Sequence, residues 1–236
     1  MNMLAQLDPA FAPLDSAAVV AMVLAALGVG LLIEHPPVSM PSVSQLMKSY
    51  RHDWMRVFVT RQPRIFDATL IDSLRQGTAF FASACLIAIG GCVAMLGNAP
   101  AVTGLAPGLT GTDAGLFQIK LVLVVGFLAN ALLKFLWAHR LFGYCSILMA
   151  AVPNDPADPT AFHRAAQAAE LNITAAKHFN RGLRLIYFAL ASLGWLLGPA
   201  ALLATTAGTA AVLIRREFAS HSRRMLMDKG PQTPTN

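Results

Sequence analysis

Residues 185–214 read LIYFALASLGWLLGPAALLATTAGTAAVLI, thirty residues without a single Lys or Arg. As one helix this stretch would be about 45 Å long, whereas the hydrocarbon core of a bilayer is about 30 Å thick. Gly198 and Pro199 lie at its middle, where Gly suits the end of one helix and Pro suits the first turn of the next. The stretch therefore predicts either one tilted membrane span or a hairpin of two short spans.

Basic residues are also missing from two other long apolar tracts and are crowded between the tracts. Residues 1–47 and 76–119 contain no Lys or Arg. Residues 48–75 carry six, residues 140–184 carry five and residues 215–229 carry five. This alternation is typical of a multi-pass inner-membrane protein, because positively charged loops stay in the cytoplasm.

The positive-inside rule favours five spans over four. With the N-terminus outside, a single span over residues 185–214 would export the five basic residues of the tail, whereas a hairpin keeps them inside. We therefore predict an all-α, polytopic transmembrane helix bundle of about five spans, with four as the alternative, in one membrane domain. It would lie in a bacterial inner membrane with its C-terminus in the cytoplasm. The predicted spans are residues 17–33, 76–97, 117–138, 183–198 and 199–215, and the predicted cytoplasmic segments are residues 34–75, 140–182 and 216–236.

The composition excludes a soluble domain. Hydrophobic residues make up 56% of the chain and charged residues only 13%, and the mean hydropathy is +0.55. The net charge of +6 could suit nucleic acid, but the basic residues flank apolar spans instead of forming one stripe. We expect anionic lipid headgroups as partners and no nucleic acid. The three cysteines form no CxxC pair, so no metal or cofactor is expected.

Two cytoplasmic segments carry helix signals. Residues 43–60 place apolar and basic side chains on opposite sides at helical spacing, which predicts an amphipathic helix along the inner interface. Residues 159–181 follow an Asp-Pro start signal and predict a second helix that continues into the fourth tract. In the first helix, four residues are predicted to face the lipid interface: Lys48, Arg51, Trp54 and Arg56.

Ionisable and polar residues recur at the cytoplasmic ends of the predicted spans. We call this set the polar belt: Arg61, Arg64, Asp67, Asp72, Asn130, Lys134, Arg140 and Glu217. Such groups are costly near a membrane unless they are paired, so they are candidates for function. Lys134 either extends its ammonium to the interface or pairs with a carboxylate of the belt. Lys120, near the outer end of the same span, is expected to extend to the outer interface.

Several short runs resemble one protein family, the domain-of-unknown-function family numbered 599, over nearly the whole chain from about Trp54 to Glu217. The matching residues are Trp54, Met55, Arg61, Arg64, Asp67, Phe80 to Ser83, Lys134, Phe135, Trp137, Arg140, His178, Asn180, Arg181 to Arg184, Tyr187, Phe188 and Arg216 to Phe218. The resemblance implies an integral membrane protein of bacteria or plants. It implies no particular substrate.

No motif specific to one reaction is present, so no catalytic residue is assigned. The chain lacks HExxH, GxSxG, Walker and GxGxxG patterns. We expect transport or a channel first, with a polar pocket on the cytoplasmic side. An accessory or scaffold subunit of a membrane complex is the alternative, and a membrane-embedded enzyme is third. With so few helices and no internal repeat, transport would require a homo-oligomer.

Overall fold

The computed structural model describes residues 13–105 and 114–228, and within these residues the secondary structure is helical. The α-helices of the described residues are α1 Pro13–Glu34, α2 Val43–Thr60, α3 Ile65–Gly97, α4 Ala99–Leu105, α5 Ala114–Ala150, α6 Ala161–Ser192, α7 Pro199–Phe218 and α8 His221–Met227. A 3-10 helix, Leu193–Leu197, connects α6 to α7. The predicted all-α class is confirmed. The two ends of the predicted topology and part of its outer loop lie outside the described residues.

Three of these helices are long and apolar enough to cross a membrane. They are α1, α3 and α5. Each exposes large apolar side chains, such as Leu31 at 64% and Ile87 at 77% exposure. Apolar surface on this scale is typical of contact with lipid. The three helices therefore indicate a membrane protein.

Residues 185–214 form a helical hairpin that turns at the predicted position. Gly198 has a φ of +113°, a conformation that favours glycine, and Pro199 begins α7. Beyond this turn α7 packs back along α6, because the Thr205 hydroxyl donates a hydrogen bond of 2.8 Å to the carbonyl of Ala191. The 3-10 helix approaches α7 closely at Gly194, where a Cβ would lie 2.5 Å from Thr205 Oγ1.

Helix α1 packs beside this hairpin, and polar contacts mark both of its ends. At its start Asp15 accepts a hydrogen bond of 2.6 Å from the indole nitrogen of Trp195. At its end Glu34 contacts Arg181 and Arg184 of α6. Asp15 and Glu34 are about 29 Å apart along an ideal helix, close to the thickness of a hydrocarbon core. Between them lies an apolar core that includes Met22, Phe188 and Leu202.

The first half of α6 forms a second core with the end of α5 and with α2. Ala165 and Ala168 are buried on the α6 side, and small residues let two helix backbones approach closely. The Cys145 thiol of α5 lies 3.3 Å from the carbonyl of Ala168. Helix α2 covers this pair with the buried side chains of Met55 and Phe58. The two helices predicted over residues 43–60 and 159–181 are therefore both present.

The prediction for Lys120 is wrong. This side chain is not exposed as an interfacial lysine would be, since Lys120 is only 3% exposed. Its ammonium nitrogen lies 5.9 Å from the centroid of the Trp195 ring, the same indole that binds Asp15. A buried cation is tolerated beside an aromatic face and a carboxylate. Contacts of Lys120 with residues distant in the chain could not be foreseen from the sequence of α5 alone.

Candidate functional site

One part of the polar belt connects α2 to α3. Asp67 is fully buried and accepts hydrogen bonds from Arg61, at 2.5 Å, and from the indole of Trp54, at 2.6 Å. Arg64 donates to the carbonyls of Val152 and Pro153, both at 2.7 Å, at the end of α5. These contacts join the end of α2, the start of α3 and the segment that follows α5.

The other members of the polar belt lie apart from this cluster. Asp72 bonds Gln76 at 2.6 Å, and Arg140 is exposed and bonds Tyr144. Asn130 is exposed and Lys134 is half-buried on α5. Within the described residues Lys134 forms no ion pair, so the carboxylate partner suggested for it is not seen. Glu217, on α7, lies at a polar cavity that none of the other belt residues lines.

That cavity lies between the ends of α1 and α7, α2 and the middle of α6, and has a volume of about 310 Å³. We call it the basic cavity, because five basic side chains and only two carboxylates line it. The basic residues are Lys48, Arg51, Lys177, Arg184 and Arg216, and the carboxylates are Glu34 and Glu217. Hydroxyl and amide side chains complete the polar lining: Ser44, Gln45, Asn180, Ser220 and Ser222.

Glu34 is already neutralised by cations of α6. Arg181 donates two hydrogen bonds to its carboxylate, at 2.7 and 2.5 Å, and Arg184 donates one at 2.6 Å. The ammonium of Lys177 lies 3.3 Å away. Two parallel bonds from one guanidinium are among the stronger protein interactions. The hydrogen bond to Glu34 raises the pKa of the Arg181 guanidinium above its ordinary value.

Glu217 is held by the N-terminus of α2. Its two oxygens accept hydrogen bonds from the backbone N–H of Ser44, at 3.0 Å, and from the Ser44 hydroxyl, at 3.2 Å. Ser42 caps the same helix through the backbone N–H of Gln45. A helix N-terminus carries a partial positive charge that favours a carboxylate. Both carboxylates of the basic cavity are therefore engaged by protein groups.

Three basic residues of the cavity contact neutral groups or none. Arg51 donates to the side-chain oxygen of Asn172, and burial lowers the pKa of its guanidinium. Arg216 lies 3.4 Å from the hydroxyl of Tyr187. Lys48 makes no hydrogen bond or ion pair to another residue in the described part of the chain. None of the three forms an ion pair within the described residues, and a recess with an excess of one sign of charge attracts ions of the other sign.

A second, smaller cavity continues the basic cavity into the bundle. It shares Arg184, Arg216 and Glu217 with the basic cavity and adds Tyr187 and Leu213. Its volume of about 10 Å³ is about the room that one water molecule needs. The open space therefore narrows between α1, α6 and α7.

Sequence reasoning missed the residues at the centre of this site. Lys177, Arg181 and Arg184 were outside the polar belt, although their spacing along a helix puts them on one face. That spacing, together with Glu34 at the end of the first predicted span, could have indicated that these cations form a site with a carboxylate. Of the residues predicted to face lipid, Arg51 contacts Asn172 and Trp54 contacts Asp67. Arg56 is exposed and Lys48 is half-buried at the basic cavity.

Comparison with known proteins identifies a family but no activity. The family described as proteins of unknown function, DUF599, matches residues 17–222. No curated protein and no solved structure matches the chain. The matched residues include the whole lining of the basic cavity, from Ile33 to Ser222. The match covers well over half of the sequence, and the chain therefore belongs to the DUF599 family.

Proposed function

We propose that the protein crosses an inner membrane five times, with its N-terminus outside and its C-terminus in the cytoplasm. The hairpin of α6 and α7 supports this topology, because it returns the basic end of α7 to the side of Glu34. The opposite ends of α1 and α5 meet the 3-10 helix that follows α6 at Asp15, Lys120 and Trp195. Basic residues are concentrated at the Glu34 end, as the positive-inside rule requires of a cytoplasmic face.

In this topology the basic cavity opens toward the cytoplasm and binds a small anion. The observation that carries this proposal is the excess of basic groups in one recess whose carboxylates are already engaged. A phosphate, sulfate or carboxylate group would accept hydrogen bonds from Lys48, Arg51 and Arg216. Hydrogen bonds to charged groups are stronger than neutral ones, so an anion is the favoured ligand class.

The path inward from the cavity supports a transport role. The second cavity reaches the hydroxyl-bearing side chain of Tyr187 and ends at the apolar side chain of Leu213. Further along, the buried side chains of Met22, Phe188 and Leu202 fill the space between α1, α6 and α7. This arrangement corresponds to a transporter open to the cytoplasm and closed toward the outside. A homo-oligomer is part of this proposal, because the helix count is small for a transporter.

Flux measurements test this function. Purified protein would be reconstituted into neutral phosphatidylcholine liposomes, and uptake of radiolabelled inorganic phosphate would be followed. Lys48→Gln and Arg216→Gln each remove one cation of the basic cavity. Arg215→Gln is the matched control, because Arg215 is the exposed neighbour of Arg216 and does not line the cavity. We expect flux above that of empty liposomes, lowered about tenfold in each cavity variant and unchanged in the control.

The outcomes separate transport from the alternatives. Phosphate binding without flux would rule out the transport hypothesis and favour the accessory role, in which the anion regulates a partner protein. Absence of both binding and flux with phosphate, sulfate and acetate would overturn the proposed anion site. Equal flux in wild type and both cavity variants would show that the anion takes another path.

A further inference from the structure

A groove at the cytoplasmic ends of α3 and α5 is separate from the basic cavity. Its volume is about 380 Å³, and we call it the α3/α5 groove. Its apolar lining includes Phe58, Ile71 and Met149, and its polar lining includes Arg64, Asp72 and Arg75. It shares no residue with the basic cavity. Its walls therefore combine an apolar surface with charges of both signs.

Arg75 has unused hydrogen-bonding capacity. Its Nε is buried without a hydrogen-bond partner, and the described residues provide no ion pair to its guanidinium. A buried donor without a partner is unfavourable, so each such group calls for an explanation. The Nε of Arg64 is likewise buried without a partner, but the terminal nitrogens of Arg64 are already bound to the carbonyls of Val152 and Pro153.

Asp72 lies beside Arg75 and yet does not pair with it. The two residues are three positions apart on α3, a spacing at which side chains are neighbours on a helix surface. No salt bridge joins them, and Asp72 instead accepts a hydrogen bond of 2.6 Å from Gln76. Both charges are therefore available to a ligand that carries a negative and a positive group a few ångströms apart.

The groove lies at the level of lipid headgroups in the proposed topology. Arg75 directly precedes the predicted span over residues 76–97, and no Lys or Arg follows it until Lys120. At the start of α3, Ile65 and Phe66 are 72% and 62% exposed, as expected for side chains at a membrane interface. A molecule that fills this groove would meet both the headgroup layer and the hydrocarbon.

We propose that the α3/α5 groove binds one zwitterionic phospholipid with a phosphoethanolamine headgroup. The phosphate accepts hydrogen bonds from Arg75, and the primary ammonium donates to Asp72. One acyl chain lies over Ile71 and Met149. A soluble anion would leave the apolar wall uncovered, and an anionic glycerol headgroup would leave Asp72 without a positive partner. This inference depends on the proposed membrane topology and is independent of anion transport.

Native mass spectrometry of the full chain tests the lipid class. The protein would be delipidated, exchanged into bilayers of equimolar phosphatidylethanolamine, phosphatidylglycerol and phosphatidylcholine with identical acyl chains, and released in mild detergent. We expect one retained phosphatidylethanolamine per chain. Arg75→Gln is expected to reduce retention of this lipid about tenfold. Asp72→Asn is expected to remove the preference over phosphatidylglycerol while some lipid is still retained.

Two controls keep the test decisive. Arg140→Gln removes an exposed cation of α5 that lies outside the groove, and Asp53→Asn removes an exposed carboxylate of α2. Both should retain phosphatidylethanolamine like the wild type. Asp72 is exposed, so its variant should fold even where Arg75→Gln does not. Equal retention of the three lipids by wild type, or an unchanged preference in Asp72→Asn, would overturn the proposal without affecting the basic cavity.

Discussion

Replacing Glu34 by Gln should weaken the fold because it leaves three cations of α6 without their carboxylate. Glu34 is 10% exposed, and its partners lie 2.5 to 3.3 Å away. Removing one member of a buried ion pair costs about 3–5 kcal/mol. Arg184 is 12% exposed, but Arg181 and Lys177 are 34% and 39% exposed. Water can therefore solvate these two cations and compensate part of the lost interaction with Glu34. We expect a loss of about 2–3 kcal/mol in the free energy of unfolding.

The free energy of unfolding can be measured in mixed micelles by titration with sodium dodecyl sulfate, with far-ultraviolet circular dichroism as the signal. Glu170→Gln is the matched control. Its carboxylate is 68% exposed and lies 3.4 Å from His52, so we expect a change below about 1 kcal/mol. Equal losses in the two variants would refute the view that Glu34 joins α1 to α6.

The Glu34→Gln variant should also bind anions more tightly than the wild type. Glu34 competes with any anion for Lys177 and Arg184, which both line the basic cavity. Without that carboxylate, the cavity has one negative charge fewer. We therefore expect the dissociation constant of inorganic phosphate to fall by about tenfold. A weaker affinity in Glu34→Gln than in wild type would contradict the assignment of the cavity to anions.

Two further variants test helix packing, both by the same unfolding titration. Gly182→Ala should cost about 1–3 kcal/mol, because its Cβ would lie 2.7 Å from the ring of Phe135. Trp195→Phe should cost about 1–3 kcal/mol, because it leaves the buried carboxylate of Asp15 without its hydrogen-bond donor.

Each packing variant has a control that makes the same substitution at a less crowded or more exposed position. Gly143→Ala adds a Cβ with no atom within 4 Å, so it should leave stability unchanged or raise it by up to about 1 kcal/mol. Trp137→Phe changes an indole that is 44% exposed and should have a small effect. A loss in Gly182→Ala no larger than in Gly143→Ala would contradict the close approach of α5 and α6. A Trp195→Phe variant as stable as Trp137→Phe would contradict the role of the Asp15 bond.

Features that depend on neighbouring residues in the chain could be predicted from the sequence. The turn between α6 and α7 follows from Gly198 and Pro199, whose backbone preferences act locally. Helix α2 occupies residues 43–60 because its apolar and basic side chains alternate at helical spacing. The apolar length of α1 likewise predicted a span from its own composition.

The candidate site could not be predicted in the same way, because its contacts join distant parts of the chain. Glu34 meets Arg181 and Arg184 across 147 and 150 residues. The rotation of each helix about its axis decides which side chains face inward, and a regular pattern fixes that rotation only coarsely. Thus Arg51 contacts protein while Arg56, on the same helix, is exposed.

Calorimetric titration of inorganic phosphate into the purified, delipidated protein tests the anion site most directly. We predict saturable binding in the wild type and in Arg215→Gln, and an affinity about tenfold lower in Lys48→Gln and in Arg216→Gln. Absence of binding in the wild type, or the same affinity in all four proteins, would contradict the assignment of the basic cavity as an anion site.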